Sequence, residues 1–277
     1  MPRIGLIHPG AMGASVGAAA SGNGHTVLWA STGRSASTYQ RAQRARLEDV
    51  GTVAELVKTS DIVLSVCPPH AAQDVAREVT QLSFAGLYVD CNAISPDRTR
   101  AIQRLVEASG ADYVDGGIIG GPAWTPEAGT RLYLSGSRAE EVAACFTGSP
   151  LETPVISDRI GAASAIKMGY AAYTKGTTAL LTAILGMVER EGVRANLADQ
   201  WGEAFTQQTV RRVCSNTAKA WRFVGEMHEI AATFRGAGLP GGFHQAAAEV
   251  YERLAVFKDH TEPPAVESVL EALLKGE

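Results

Sequence analysis

The 277-residue sequence predicts an α/β chain in which a doubly wound domain is followed by an all-helical C-terminal domain. Three observations carry that expectation. Short apolar runs alternate with helical patterns through the first half. One such run, Asp61-Ile62-Val63-Leu64-Ser65-Val66, is almost wholly apolar, as a parallel strand covered by helices on both faces must be. Beyond Pro154 the strand-like texture ends and helical patterns run on. The expected division is an α/β domain over residues 1–156 and a helical domain over residues 157–277.

In order, strands are expected at residues 4–7, 26–29, 62–66, 87–90, 113–117 and 132–135. Helical spacing places helices among them at 12–21, 52–59, 72–81 and 97–109. Alternation with short connections gives a doubly wound sheet, which binds ligands at the carboxyl ends of its strands. In the second half, residues 161–191 form one long stretch rich in Ala, Leu, Met and Thr, and helices follow at 197–215, 218–237, 242–257 and 264–274. The long stretch has more apolar faces than a small helical domain can cover, which predicts a homodimer through that domain.

Composition narrows the partners. A net charge of −4 argues against nucleic acid or an anionic membrane surface, both of which call for basic excess. No apolar run reaches the roughly 20 residues of a membrane span, and an apolar strand starts too early for a signal peptide. Cys67, Cys91, Cys145 and Cys214 form no Cys-x-x-Cys pair, which predicts reduced thiols and a cytoplasmic location. The His228-Glu229 stretch lacks a second histidine four residues on, so no metal site is expected.

The opening stretch, from Arg3 to Gly17, reads as strand, glycine-rich turn and helix. A Rossmann domain binds a dinucleotide at such a turn through G-x-G-x-x-G. Here the sequence is His8-Pro9-Gly10-Ala11-Met12-Gly13. Gly10 allows backbone to approach the pyrophosphate and Gly13 allows helix to pack on strand. The N–H groups of Gly10, Ala11 and Met12 open toward phosphate at a helix N-terminus. His8 replaces the first glycine. Pro9 biases it to extended backbone, and its imidazole is expected beside the pyrophosphate.

The second strand should end at the adenosine ribose, where an NAD site places Asp or Glu. No acid occurs between Gly24 and Arg46. Ser31, Thr32, Arg34 and Ser35 stand there instead, and a guanidinium pairs bidentately with a 2′-phosphate. The cofactor expected is therefore NADP(H).

Three further stretches follow in order: YVDCNAISP at 88–96, YVDGGIIGG at 113–121 and GAASAIKMGYA at 161–171. With the opening turn they resemble the β-hydroxyacid dehydrogenase and 6-phosphogluconate dehydrogenase-like superfamily. The tail resembles a subgroup whose C-terminal helical domain has no known function. The resemblance implies an NADPH-dependent oxidoreductase that interconverts a carbonyl and a hydroxyl on a small-molecule substrate. It makes Lys167 catalytic, because an ammonium beside the substrate oxygen stabilises developing charge and can donate a proton. Tyr170 lies one turn on, on the same face, where the phosphogluconate branch has a substrate-touching histidine. Lys175, further along, reads as a solvated charge. On the cofactor side Cys67, Pro68 and Pro69 would shape the loop after the third expected strand, and Asn92 would reach the nicotinamide carboxamide or the substrate.

Gly120 and Gly121 imply close approach of backbone to substrate, with Trp124 as an aromatic rim. Trp221 and His244 could close the site, within one chain or across a dimer. The departures bear on the substrate. The family's asparagine four residues after lysine is Ala171 here, its carboxylate-gripping serine is Ile119, and its Ser-Thr pair is Asn92-Ala93. A carboxylate left unpaired in an apolar pocket costs several kcal/mol, so a substrate larger or less charged than a simple β-hydroxyacid is expected beside Ile119. Two alternatives stand. Imine reductase-like C=N reduction is opposed by a fixed ammonium facing an iminium. A non-catalytic NADPH-binding sensor is opposed by the retention of Lys167 in an apolar stretch.

Overall fold

Strands buried at every position form the centre of an eight-stranded sheet in the computed structural model, which describes residues 1–258 and 260–275. Asp259 and the last two positions of the expected 157–277 domain lie outside the described residues. The strands are β1 (Ile4–Leu6), β2 (Val27–Trp29), β3 (Glu48–Asp49), β4 (Ile62–Ser65), β5 (Leu87–Asp90), β6 (Asp112–Ile119), β7 (Arg131–Ser135) and β8 (Val155–Ser157). Their order is β3-β2-β1-β4-β5-β6-β7-β8. All pairs are parallel except β6 with β7, where Gly117 faces Tyr133. The order reverses at β1, between β2 and β4. A doubly wound sheet opens its ligand crevice at that switch point.

Helices cover both faces. One apolar cluster joins the sheet to α1 (Ala11–Gly22) and α6 (Ala139–Ala144) through Val16, Ala19, Ala20 and Val142. The other joins it to α3 (Val53–Thr59), α4 (Ala72–Gln81) and α5 (Pro96–Glu107) through Leu56, Val75, Val79, Ile102 and Val106. Burial on two faces is why these strands read as unbroken apolar runs.

Several elements differ from expectation, each for a physical reason. β3 is two exposed acidic residues held by pairing with β2, so it carries no hydrophobic signal. α2 (Ala36–Arg44) buries only Ala42 and its polar composition hides it. β8 follows Pro154, where only helix was expected, and joins the sheet through Leu134–Val155. The chain divides into two compact units, Met1–Met168 and Gly169–Glu277. The start of α7 (Ala162–Ala171) packs on β6, where a Cβ on Gly117 would strike the Ala163 carbonyl.

The second unit is helical throughout its described residues: α8 (Thr177–Arg190), α9 (Arg194–Trp201), α10 (Glu203–Thr217), α11 (Ala220–Gly236), α12 (Gly242–Arg253) and α13 (Val266–Lys275). The long apolar stretch carries a π-helical turn at Ala172–Gly176 between α7 and α8, with right-handed helical backbone on both sides of it. Gly202, by contrast, at φ 78°, breaks the expected helix at 197–215 into α9 and α10.

Candidate active site

The glycine-rich turn runs from the end of β1 into α1 and leaves the helix N-terminus open. Gly10 is the N-cap and no side chain caps α1, so its first N–H groups have no partner within the helix. A Cβ on Gly10 would meet nothing within 4 Å, whereas one on Gly13 would strike the His8 carbonyl and crowd Val66 at 3.4 Å. One glycine leaves the cradle open, then, and the other lets the helix reach the strand. Arg41, on α2, holds the turn from outside by donating Nε–H to the Pro9 carbonyl at 3.2 Å. Ala11 is exposed and Met12 partly buried at the rim.

Beside the cradle lies the turn after β2. Arg34 N–H closes it onto the Ser31 carbonyl at 3.0 Å, and Thr32 N–H binds the Gly51 carbonyl at 2.8 Å. Ser35 Oγ lies 3.0 Å from Ser37 Oγ and 3.1 Å from Thr38 Oγ1. The nearby acid of β3, Asp49, is turned onto the Gly51 N–H at 2.8 Å. Two buried nitrogens have no partner in this region, Nδ1 of His8 and Nε of Arg34. Burial first, and the Arg34 charge second, hold His8 down to about 4, so its imidazole is neutral at pH 7. An uncapped helix N-terminus, an open glycine, and a guanidinium and imidazole with unmet bonding capacity suit a phosphorylated dinucleotide.

The loop after β4 is positioned from below. Asn92, 2% exposed, accepts the Cys67 N–H at 2.6 Å and donates to Ser65 Oγ at 3.0 Å. Its side chain thus fixes Cys67 at the head of the loop that runs through Pro68 into the short 3₁₀ turn Pro69–Ala71. Burial, then the Asp90 carboxyl, pushes the Cys67 thiol up to about 12, so it is no nucleophile. Asp90 is itself raised to about 7, chiefly by burial and further by the Asp115 charge, and its Oδ2 has no partner.

Asp115, which sequence reasoning did not single out, organises the other side. It is fully buried on β6. Oδ2 accepts the Gly161 N–H at 2.9 Å, the Ser164 N–H at 3.0 Å and the Ser135 hydroxyl at 3.0 Å. Oδ1 accepts the Ser164 hydroxyl at 2.6 Å and the Thr99 hydroxyl at 3.4 Å. Ser135 Oγ in turn accepts the Ala163 N–H at 3.1 Å. A buried carboxylate therefore caps α7 and satisfies donors that a helix N-terminus leaves over.

Strand residues two apart share a face, so Asp115, Gly117 and Ile119 look the same way. Over Gly117 lies Lys167, whose Cβ would be 3.0 Å from a Cβ added there. Lys167 is partly buried, as is Ile119 at the strand end. Gly120 follows at φ 126°, and a Cβ on it would collide with Thr130 at 2.9 Å, while Gly121 accepts from the Thr130 hydroxyl at 2.6 Å. Trp124 lies under a guanidinium, with Arg44 Cζ 4.0 Å from its ring centroid. Its neighbour Ala123 donates to Ser15 Oγ of α1 at 2.9 Å. The loop thus clasps α1 and α2.

Within the second unit Tyr170 is 50% exposed. His244 is buried between Phe234 and Phe243, with centroids 4.6 and 5.1 Å away. Burial lowers its pKa and leaves Nδ1 without a partner. Trp221 belongs to a different cluster, under Lys258 Nζ at 4.8 Å and Arg222 Cζ at 4.9 Å. Lys175 is not a solvated charge. It is mostly buried, ion-paired with Glu226, and 4.6 Å from the Phe223 ring centroid. The π-helical turn explains the company it keeps: the Tyr251 hydroxyl binds the Lys175 carbonyl at 2.7 Å and Arg212 binds the Thr174 carbonyl at 2.6 Å. Side chains thereby satisfy carbonyls that the irregular turn offers. Among the described residues no cluster of three or more His, Cys, Asp or Glu could hold a metal, and no helix is long and apolar enough to cross a membrane.

Residues 3–146 match the family model of the NAD binding domain of 6-phosphogluconate dehydrogenase, and residues 189–254 match a domain of unknown function, DUF1932. An uncharacterized 28.5 kDa protein of Methanothermus fervidus is 29% identical over 203 residues, 72% of this chain and 77% of that protein. The mitochondrial 3-hydroxyisobutyrate dehydrogenase of Drosophila melanogaster is 24% identical over 203 residues, 70% of this chain but only 60% of that protein. Among solved structures, the conserved protein MTH1747, of unknown function and with structural similarity to 3-hydroxyacid dehydrogenases, is 27% identical. It superimposes with a TM-score of 0.66 over 92% of this chain and 97% of that one. An imine reductase variant from Myxococcus stipitatus in complex with NAD+ shares the fold at 21% identity, with a TM-score of 0.55 over 99% of each chain.

Proposed function

We propose that this chain, which belongs to the family built on the NAD-binding domain of 6-phosphogluconate dehydrogenase, is an NADPH-dependent oxidoreductase interconverting a carbonyl and a hydroxyl on a small molecule. The family supports an NAD(P)-dependent dehydrogenase or reductase, and the likeness to the 3-hydroxyacid dehydrogenase-like protein MTH1747 and, in fold, to an imine reductase supports one of those two types. One observation carries the choice of chemistry. Lys167 is seated on Gly117 at the end of β6, on a helix capped by a buried carboxylate.

When bound in the cradle, the nicotinamide cofactor supplies or takes up the hydride. The chain's part is electrostatic and positional. The Lys167 ammonium holds the substrate oxygen, offsets the negative charge that grows on it, and passes it a proton; in the other direction it receives that proton. Asp115 and Gly117 keep Lys167 in place, and Asn92 does the same for the loop after β4. The 2′-phosphate form is supported by Arg34, Ser31, Thr32 and Ser35 standing where an NAD site carries an acid, with Asp49 turned away to Gly51.

Ile119 shares the face of Gly117, which favours a substrate without a carboxylate at that point. The same residue favours C=N reduction as a second reading. Exposed Leu180 and Met187 on α8 support a homodimer through the helical domain, and four free cysteines support a cytoplasmic setting.

The test is a panel of aldehydes, hydroxy acids and cyclic imines, followed by nicotinamide absorbance in wild type and Lys167→Ala. Loss of about 10²–10⁴-fold in turnover with cofactor affinity kept is expected. A variant with most of its turnover removes lysine from the mechanism, and activity confined to imines selects the second reading.

A further inference from the structure

His8 stands where the dinucleotide fingerprint has its first glycine, and its surroundings give it a task. Its Nδ1 and the Arg34 Nε are both sealed from solvent without a hydrogen-bond partner. They come from different elements: the end of β1 and the turn after β2. β1 and β2 run parallel with Leu6 beside Trp29, so the two segments leave the sheet at the same end, where the Arg34 charge bears on the imidazole. The other groups around the turn do not satisfy them. Arg41 is bound to the Pro9 carbonyl and to Thr38 Oγ1, and Cys67 stays a neutral thiol.

A cation and an imidazole set together with unmet bonding capacity suit an anion. Position 8 suits imidazole for a reason. A lysine or arginine there would place two fixed cations together in the free protein. A neutral imidazole avoids that repulsion and still offers one N–H donor. The anion is defined by location. The pyrophosphate has the uncapped N–H groups of α1, whereas Arg34 lies in the turn that faces the adenosine ribose.

We propose that His8 is a cofactor-specificity residue that acts jointly with Arg34 to bind the 2′-phosphate of the adenosine ribose. This rests on the NADPH reading above and extends it to a residue outside the usual ribose turn.

The experiment is equilibrium binding of NADP+, NAD+, 2′-AMP and 5′-AMP to wild type, His8→Gly, His8→Gln, Arg34→Gln and the His8→Gly/Arg34→Gln double variant. In His8→Gly, NADP+ and 2′-AMP should weaken about tenfold or more, the size of one lost bond to a charged group. NAD+ and 5′-AMP should stay within about twofold. His8→Gln, which keeps bulk and a neutral donor, should retain most of the preference and covers the case in which glycine loosens the turn. In the Arg34→Gln background the His8→Gly effect should shrink below about threefold, the signature of coupled residues. Equal weakening of both cofactors in His8→Gly, or additive losses in the double variant, overturns the joint role while the NADPH reading stands. A wild type that binds NAD+ as tightly as NADP+ overturns both.

Discussion

Replacing Asp115 by Ala removes one acceptor group and strands five donors. Two of these, the Gly161 and Ser164 N–H groups at 2.9 and 3.0 Å, belong to the backbone and cannot turn elsewhere. Each buried N–H left without a partner costs about 1–3 kcal/mol. The hydroxyls of Ser135, Ser164 and Thr99 can rotate, and lose only about 0.5–1 kcal/mol each. The sum is about 5 kcal/mol, a loss large enough to follow by urea unfolding with far-UV circular dichroism. Asp115→Asn should lose about 2 kcal/mol, because its amide oxygen can face the two N–H groups and the Ser135 hydroxyl, while its NH2 takes the place of Oδ1 and the Ser164 and Thr99 hydroxyls must turn to accept from it. In that milder variant α7 keeps its helix but not its fixed start, so turnover should fall while cofactor affinity, set across the sheet at Gly10 and Arg34, is unchanged. An Asp115→Ala protein within about 1 kcal/mol of wild type would refute the capping argument, and with it the account of how Lys167 is held.

Three other outcomes test neighbouring claims. Asp90 is raised to about 7 from 3.8, so the folded protein holds a proton that the unfolded chain releases, and stability falls as pH rises through that window. At about 1.4 kcal/mol per unit, Asp90→Asn should gain about 3 kcal/mol on wild type between pH 5 and pH 8, measured by unfolding at both; a pH-independent difference would show that Asp90 is ionised throughout. Gly117→Ala puts a methyl against the Ala163 carbonyl and Lys167, which should cost about 1–3 kcal/mol and depress kcat more than cofactor binding, whereas unchanged kinetics would free Lys167 from dependence on that contact. Glu226→Gln leaves Lys175 without its countercharge in a mostly buried site, and thermal unfolding should show a loss of about 3 kcal/mol that Lys175→Met in the same protein largely restores. No loss in the single variant would mean the pair contributes nothing.

How much of this was legible in the sequence depends on whether a residue's partner is near in the chain. β1, β4 and β5 showed themselves because burial on both faces leaves an apolar run, and the glycine-rich turn because Gly10 and Gly13 serve backbone geometry within a few residues. β3 and α2 did not, since one is two exposed acids and the other buries a single alanine. Lys175 was misread for the same reason, its counter-ion being Glu226, far along the chain. Nothing local announces the contact of Trp124 with Arg44 either. Asp115 was the available signal that went unused: a carboxylate inside an apolar strand must be met by donors or remain neutral.

That omission matters because Lys167 is not placed by its own helix alone. α7 supplies the residue, but β6 supplies the coordinates. Asp115 fixes where the helix begins and Gly117, two residues on and on the same face, fixes how closely it lies. In the proposed mechanism Ile119, two further on the same face, would stand beside the substrate that the lysine holds. One period-two row on a single strand thus sets the start of the helix and how closely Lys167 lies on it and, in that mechanism, the polarity of the substrate's surroundings. A change in substrate class can therefore come from Ile119 without disturbing Lys167, whereas a change at Asp115 or Gly117 would alter the chemistry whatever the substrate.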